Sequence, residues 1–431
     1  MNKLGIGLMT AAMVLLNSCA GRMPAGQTNN SPEPRPYMAE LHEAATKFAA
    51  ARELPDAPQG KFPSPAKSHA LQELGVARSM VGDTVGAVEA FQEHFGINLQ
   101  EKRTLLPGEA EEVRAILADH QPEDALQAIV REARNRQIVM LNEAHHVARH
   151  RAFATLLAPE LRKLGFEYLA METLSPGVAQ LQARGYPLSS DGYYSDEPLF
   201  GDFIRQGLAL GYRLVAYEDS SDPKAIPLDP FDAMAAREEA QAQNVIDRVL
   251  KENPHARIFT YVGYSHLTKG TQEMPGGRQL KWLAERLRAK TGIDPLCIDQ
   301  TAIIEPRAGT RDRALADSVF ARRDDDSVVL RKSEDPHRFW PATPAWDMQV
   351  IHRPTRLEHG RPHWMSMRGY RKPRAVPARL MPKAGQRLIQ AFAKDEATNA
   401  VPIDQFIVTA GDANPPMLML PEGRFRFATQ D

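Results

Sequence analysis

The 431-residue sequence predicts an α/β fold: an open parallel sheet flanked by helices, with a helical N-terminal subdomain and a small, mostly β C-terminal appendage. Between residues 137 and 300, short apolar runs alternate with longer amphipathic segments, which is typical of a parallel sheet with crossover helices. The apolar runs themselves show little polar alternation. This is expected when helices cover both faces of the sheet.

The first 19 residues indicate export and lipidation. Lys3 precedes an apolar stretch that is too short to cross a bilayer comfortably, the pattern of a signal peptide. The following "LNSC" (16–19) resembles the bacterial lipobox, which makes Cys19 the expected lipidation site. An ordinary cleaved signal with an incidental cysteine is the alternative. Because Ala20 follows the cysteine, we expect an outer-membrane lipoprotein of the cell envelope facing the periplasm, with the inner membrane as the alternative.

The next two segments are a tether and a helical subdomain. Residues 20–36 are rich in Pro, Asn, Ser and Gly, which predicts a flexible linker. Residues 37–121 carry apolar residues at spacings of three and four, which predicts helices. Residues 122–136 predict the last helix before the sheet, with Pro122, Glu123 and Asp124 in its acidic first turn.

The α/β domain is expected to span residues 122–300, and its predicted strands are 137–144, 166–174, 212–219, 256–266 and 294–300. An insertion at 175–200 should form a lid or specificity loop over one edge of the sheet, with Tyr194 lining it. Residues 301–431 predict a β-rich region that begins with a charged, loop-like stretch at 307–327.

Composition limits the partners. The net charge of −1 provides no overall field for nucleic acid or anionic lipid, so nucleic acid is not an expected partner. The expected partners are a small-molecule or peptide substrate and a membrane, the latter through the N-terminal lipid. With Cys19 lipidated, Cys297 would be the remaining cysteine, so stability must come from the core instead of a disulfide.

Ionisable residues follow four successive predicted strands. Glu143, Glu172, Glu218 and His266 each lie at or just after a strand end, and the carboxyl ends of parallel strands share one edge where ligands bind. Each carboxylate could instead cap the helix that follows it. Four such residues at one edge predict a catalytic site.

These residue types suit hydrolysis. A neutral histidine in a polar cleft can take a proton from water, and a neighbouring carboxylate fixes its tautomer. Carboxylates placed close together raise the pKa of at least one of them, which would supply a general acid. The chain contains neither a G-x-S-x-G elbow nor an H-E-x-x-H helix, so it lacks the signatures of serine hydrolases and zincins.

A family resemblance supports this interpretation. "IVMLNEAHH" (138–146) resembles the first motif of the erythromycin esterase family, with Glu143 and His146 at the matching positions and Glu172 at the next strand end. "AREEAQAQNV" is similar to the Arg-led helix of the family, and "IFTYVGYSH" to the strand that ends in its second histidine. The residues matched there are Arg237, Asn244 and His266.

The same superfamily includes haem-binding ChaN-type lipoproteins and TIKI-type metalloproteases, whose two Gly-x-x-His motifs resemble the segment from Gly263 to His266. Two departures leave assignments open. Asn142 stands where the family has Gly, and His146 fits the esterase spacing whereas His145 fits the Gly-x-x-His spacing. The expected helix arginine is replaced by Thr155, so the oxyanion-binding residue is open.

The resemblance implies a hydrolase of an ester, lactone or amide. His146 would be the general base, Glu143 and Glu172 would orient it and the water, and His266 would stabilise the intermediate or act as acid. The candidate substrate-binding residues are Arg151, Arg205, Glu218, Arg237, Asn244 and Tyr264.

Two alternatives stay open. A metal-dependent TIKI-type hydrolase or protease would use Glu143, His145 and His266 as ligands of a divalent ion. A haem- or ligand-binding lipoprotein without turnover would involve Tyr264 or His266. We rank the metal-independent hydrolase first, the metal-dependent one second and the haem-binding protein third.

Overall fold

The computed structural model describes residues 33–54, 63–218, 227 and 229–431. The signal segment 1–19, Cys19 and most of the predicted linker lie outside these residues. Among the described helices, none is both long and apolar enough to span a membrane.

Helices and strands alternate through the middle of the chain. The helices are α1 (Tyr37–Arg52), α2 (Pro65–Met80), α3 (Thr84–His94), α4 (Pro107–Asp119), α5 (Ala125–Ala133), α6 (Ala148–Lys163), α7 (Val178–Arg184), α8 (Pro198–Ala209), α9 (Pro230–Val245), α10 (Leu283–Thr291) and α11 (Arg311–Phe320). The strands up to residue 299 are β1 (His120–Asp124), β2 (Ile138–Glu143), β3 (Tyr168–Met171), β4 (Arg213–Ala216), β5 (Ile258–Gly263), β6 (Thr271–Met274), β7 (Arg278–Lys281) and β8 (Leu296–Asp299). The later strands are β9 (Ser327–Lys332), β10 (Phe339–Trp340), β11 (Met348–Gln349), β12 (Ile351–His352), β13 (Leu357–Glu358), β14 (Arg361–Pro362), β15 (Lys372–Arg374), β16 (Gln386–Ala393), β17 (Asp404–Thr409), β18 (Leu418–Leu420) and β19 (Phe425–Gln430).

The central sheet is parallel throughout, in the order β11-β8-β2-β5-β3-β4, which confirms the predicted fold class. Val139 and Leu141 of β2 pack into the core formed with α5, α6 and α8, whereas Ile138 and Met140 pack into the core formed with α9 and α10. Helices therefore cover both faces. This explains why the strand is apolar at successive positions.

The segment predicted as an acidic helical turn is a strand. β1 pairs antiparallel with β9, from His120 opposite Lys332 to Asp124 opposite Val328. The strand lies at the edge of its sheet, where the missing N–H of Pro122 removes no necessary ladder bond. The helix begins only at Ala125, with the Asp124 side chain as its N-cap.

Two other elements differ from the prediction. The stretch 307–327, expected to be a loop, contains helix α11, whose apolar face packs near α4 and whose N-cap is Thr310. Four of its ten residues are charged and more charged residues follow it at 322–326, which obscured the helical spacing. An unpredicted hairpin joins β6 and β7 through Gly276 and Gly277, both at positive φ as a tight hairpin turn requires.

Beyond β12, which belongs with β9 and β10 to the sheet of β1, the chain forms small antiparallel sheets, β17-β16-β19, β15-β18 and β13-β14. The two ends of the described chain meet there. The Gln430 side chain on β19 accepts a hydrogen bond from Met38 N at 3.1 Å and donates one to Arg35 O at 2.8 Å. The N-terminal subdomain is thus attached directly to the last strand.

Candidate active site

The sheet order brings the polar strand ends together. β5 lies between β2 and β3, so Glu143 at the end of β2 and Gly263 at the end of β5 are opposite each other. Glu172 directly follows β3, and His266 lies in the short helical turn after β5. Three of the four predicted strand-end groups therefore surround the end of β5.

The first group of this site is a buried Glu143–His145 pair. Glu143 Oε1 lies 2.8 Å from His145 Nδ1, and Glu143 Oε2 accepts from Arg151 Nε at 2.7 Å and from the Tyr261 hydroxyl at 3.0 Å. Burial opposes the charge, but the Arg151 guanidinium and the His145 hydrogen bond lower the pKa of Glu143 to about 2. The carboxylate is ionised at neutral pH.

The second group is centred on Glu172. Its Oε1 lies 2.7 Å from Arg237 Nη2 and 3.2 Å from His266 Nε2, and its Oε2 accepts from Gly263 N at 2.5 Å. The other ring nitrogen of His266 lies 2.8 Å from Glu238 Oε1. Glu238 is fully buried on α9 and is not among the residues predicted from the sequence.

Charge pairing explains how these groups titrate. Burial would lower the pKa of His266, but the carboxylates of Glu172 and Glu238 raise it well above the usual value. Burial would likewise raise the pKa of Glu172, but the His266 imidazolium and Arg237 hold it well below the usual range. Each carboxylate is thus paired with at least one cation, and His266 is shared between Glu172 and Glu238. The sequence-based expectation that crowding raises one carboxyl pKa is not met at Glu143 or Glu172.

Between the two groups lies a small cavity of about 10 Å³, room for about one water molecule. A Cβ atom at residue 263 would lie 2.8 Å from His145 Nε2 and 2.9 Å from Glu172 Oε2, so both side chains face the same space beside Gly263. The lining residues are Glu143, His145, Glu172, Thr173, Tyr194, Phe200, Tyr261, Val262 and Gly263.

Of the adjacent histidines, His145 lines the cavity and His146 does not. The His146 ring stacks on Phe91 of α3 with centroids 3.6 Å apart, and its Nδ1 lies 3.2 Å from the Tyr264 hydroxyl. Burial, followed by the charge of His150, lowers the pKa of His146 well below the usual value. His146 is therefore placed as a neutral packing residue between the sheet and the helical subdomain.

Arg151 is a structural partner of Glu143 with no exposed surface. Besides Glu143, it donates to His145 O at 2.7 Å and to Glu197 Oε2 at 3.1 Å. Its donors are directed at protein groups, so the predicted substrate-binding role does not fit its position. Glu197, the N-cap of α8, is a further group that the sequence analysis did not identify.

The other predicted binding residues have different positions. Arg205 lies outside this cluster because its guanidinium pairs with Glu396, at 2.7 Å through Nε. Glu218 extends the Glu172 group, since Arg237 Nε donates to it at 2.8 Å. Asn244 donates to the backbone oxygens of Tyr217 and Glu218, which fixes the chain after β4.

Tyr194, in the segment predicted as a lid or specificity loop, lines the cavity. Tyr194, in the short helix Tyr194–Asp196, stacks on His145 with centroids 3.9 Å apart. The N-terminal subdomain holds this segment from outside, because the Tyr37 hydroxyl donates to Asp196 O at 3.0 Å and Arg35 pairs with the Asp196 carboxylate.

The metal-ligand set proposed from the sequence is not assembled. Both ring nitrogens of His266 face carboxylates, and Glu143 is bound to Arg151. In the parts of the chain that the structure describes, no group of three or more His, Cys, Asp or Glu side chains is arranged to hold a metal ion. The described residues therefore do not fit the divalent ion of the TIKI-type alternative.

Comparisons with known proteins identify no family. No family model and no curated protein matches the chain. Two solved structures described as "Bacterial protein toxins" and "Crystal structure of bacterial protein toxins" are similar to parts of it, with TM-scores of 0.32 and 0.31 and sequence identities of 16% and 14%. They cover 55% and 62% of this chain, and the chain spans only 46% and 57% of theirs. Similarity at this level establishes neither fold nor function, so the erythromycin esterase resemblance stays a prediction.

Proposed function

We propose that this protein is an exported, lipid-anchored hydrolase that activates a water molecule for attack on an ester, lactone or amide. The observation that carries the proposal is the cavity beside Gly263, where His145 Nε2 and Glu172 Oε2 face a space for one water. His145, and not His146, is the proposed general base.

The proposed base is oriented by its partner. The Glu143 carboxylate accepts from His145 Nδ1, which leaves Nε2 as the unprotonated nitrogen facing the cavity. When Nε2 takes a proton from water, the buried negative charge of Glu143 stabilises the imidazolium. The same proton can then pass to the leaving group, so no separate neutral carboxylic acid is needed.

The Glu172 group has a complementary role. Glu172 is held ionised by His266 and Arg237, so its Oε2 can accept a hydrogen bond from the second O–H of the attacking water and orient it. His266 and Arg237 place positive charge beside the position where negative charge develops, which favours the transition state electrostatically. They act as fixed cations, and His266 is not required to titrate.

A substrate screen with paired variants tests the proposal. Ester, lactone and peptide substrates are offered to wild type, His145→Ala, His146→Ala and, as an exposed control, His337→Ala, with and without a chelator. Loss of a base contributes about 10²–10⁴-fold, so His145→Ala should lose at least about 100-fold in kcat/KM and His337→Ala none. Full activity of folded His145→Ala, or loss only in His146→Ala, would overturn the assignment.

A second variant addresses the cavity itself. Gly263→Ala would place a methyl group 2.5 Å from His145 Cε1 and fill the space proposed for water. We expect activity to fall with the fold retained, whereas Gly108→Ala, with no heavy atom within 4 Å of the new Cβ, should leave kcat unchanged. An active Gly263→Ala enzyme would exclude a reaction at this cavity.

A further inference from the structure

A region without acidic residues precedes the last strands. Residues 359–394 contain nine Lys and Arg residues and no Asp or Glu, although the whole chain has a net charge of −1. Four of the nine are neutralised by carboxylates from other parts of the fold: Arg361 by Asp404, Arg368 by Asp124, Arg371 by Asp202 and Arg387 by Asp431. The local excess of positive charge is therefore carried by the remaining residues.

Four of these remaining residues form what we call the basic strip: Lys372, Arg374, Arg379 and Lys383, all exposed. Lys372 lies 3.4 Å from Glu422, a pair in which both side chains are mostly exposed. Within residues 33–54, 63–218 and 229–431, no carboxylate pairs with Arg374, Arg379 or Lys383. The strip thus presents cations whose charge the fold does not neutralise.

The backbone that carries the strip is fixed. Val376, Leu380 and Met381 pack against the small core under β16 and β18, which directs this side of the segment inward. Prolines at 373, 377 and 382 restrict the backbone between the cations. The result is a segment with its apolar side buried and its positive side toward solvent.

A series of contacts links one part of the strip to the point where the predicted tether joins the fold. Gln430 binds the backbone of Arg35 and Met38, and across the β16–β19 ladder Gln430 is opposite Leu388. The neighbouring Arg387 donates at 3.5 Å to the backbone oxygen of Leu380, the residue that follows Arg379 of the strip. A short chain of contacts therefore connects the tether junction to the basic strip.

We infer that the basic strip is a membrane-binding surface that contacts anionic lipid headgroups. Arg35 is the sixteenth residue after Cys19, so a lipid on Cys19 would keep this junction within about 55 Å of the bilayer. Salt screens the attraction between a cation and anionic lipid beyond about 10 Å. Cations connected to the tether junction are therefore the ones that a lipid on Cys19 can bring close enough to the bilayer. A basic patch near a lipid anchor adds electrostatic attraction to anionic headgroups to the hydrophobic attachment.

Vesicle binding of the chain from Ala20 onward, which keeps every described residue and lacks the lipid, tests the inference. Vesicles contain either phosphatidylcholine alone or phosphatidylcholine with 30% phosphatidylglycerol, and bound protein is measured by co-sedimentation at low and high salt. We expect binding to the anionic vesicles only, weakened by salt. Each cation near the membrane surface should raise the vesicle–water partition coefficient of the protein about fivefold.

Matched variants make the test specific. Changing Lys372, Arg374, Arg379 and Lys383 together to Gln should reduce binding to anionic vesicles by at least about tenfold. The control changes four exposed cations on other elements to Gln: Arg114, Lys163, Lys251 and Arg338. Equal losses in both variants, or no binding of the wild-type chain to anionic vesicles, would overturn the inference. Neither outcome bears on hydrolysis.

Discussion

At the scale of single residues, the site depends on which cation accompanies which carboxylate. Glu143 is paired with Arg151, and Glu172 with Arg237 and His266. A buried carboxylate that loses its cation keeps the cost of burial without the compensating attraction. The arginines are therefore as necessary to the site as the groups that line the cavity.

Replacing Arg151 by Met should lower the free energy of unfolding by about 3–5 kcal/mol, because Glu143 would remain buried without its guanidinium. Urea unfolding measures this change. Lys163→Met is the matched control, since Lys163 pairs with Glu160 at 2.7 Å but is 69% exposed, and a change within about 1 kcal/mol is expected. A similar small effect for Arg151→Met would mean that Glu143 is solvated in solution.

The sequence predicted some of these residues and not others. Glu143, Glu172 and His266 were identifiable because they end apolar strands. Glu238 and Glu197 were not. Glu238 lies among polar residues on α9, Glu197 is the N-cap before α8, and both are buried only by tertiary packing. The choice between His145 and His146 was also undetermined, because it is made by Phe91, which is distant in sequence.

At the scale of elements, the lid segment Tyr194–Asp196 is held from two sides. Tyr194 stacks on His145, and Glu197 directly after the segment binds Arg151, which in turn binds Glu143. From outside, Tyr37 and Arg35 contact Asp196. A cavity for one water admits no organic substrate, so the proposed reaction requires this segment to move.

Removing the Tyr37 hydroxyl should loosen the lid. In Tyr37→Phe, amide hydrogen exchange should accelerate in residues 190–197, because Asp196 O loses its partner. Tyr212→Phe is the control, since it removes a comparable hydroxyl-to-backbone bond at Ala158 O. Both variants should lose about 1 kcal/mol of stability, but only the first should change exchange in the lid. Unchanged exchange there would show that α1 does not hold the lid.

Some of the strands and helices could likewise be predicted from the sequence, and others could not. The parallel strands were predicted because residues facing two cores must all be apolar. The sequence predicts a helical turn at β1 because its partner β9 is about 200 residues away, and pairing over such a distance leaves no pattern in the neighbouring residues. The α11 helix was missed because arginine and aspartate cover its exposed face.

At the scale of the whole molecule, buried neutral histidines link stability to pH. Burial lowers the pKa of His94 to about 4 and that of His150 to about 3. Below pH 6.5 the unfolded chain binds protons at these residues that the folded chain does not bind, so stability falls as the pH falls. Each histidine contributes about 1.4 kcal/mol per pH unit well below pH 6.5.

The free energy of unfolding should therefore be lower at pH 5 than at pH 7, and His94→Gln should shrink this difference by about 2 kcal/mol. Urea unfolding at the two pH values measures it. His255→Gln, at an exposed position, should leave the difference unchanged. An undiminished difference in His94→Gln would indicate that His94 is protonated within the fold.

The contact of Gln430 with Arg35 and Met38 has a consequence for biosynthesis. A ribosome makes β19 long after α1, so α1 lacks this docking partner until the chain has been translated through residue 430. A polypeptide that stops before residue 430 would lose that attachment. Docking of the N-terminal subdomain therefore has to follow synthesis of β19.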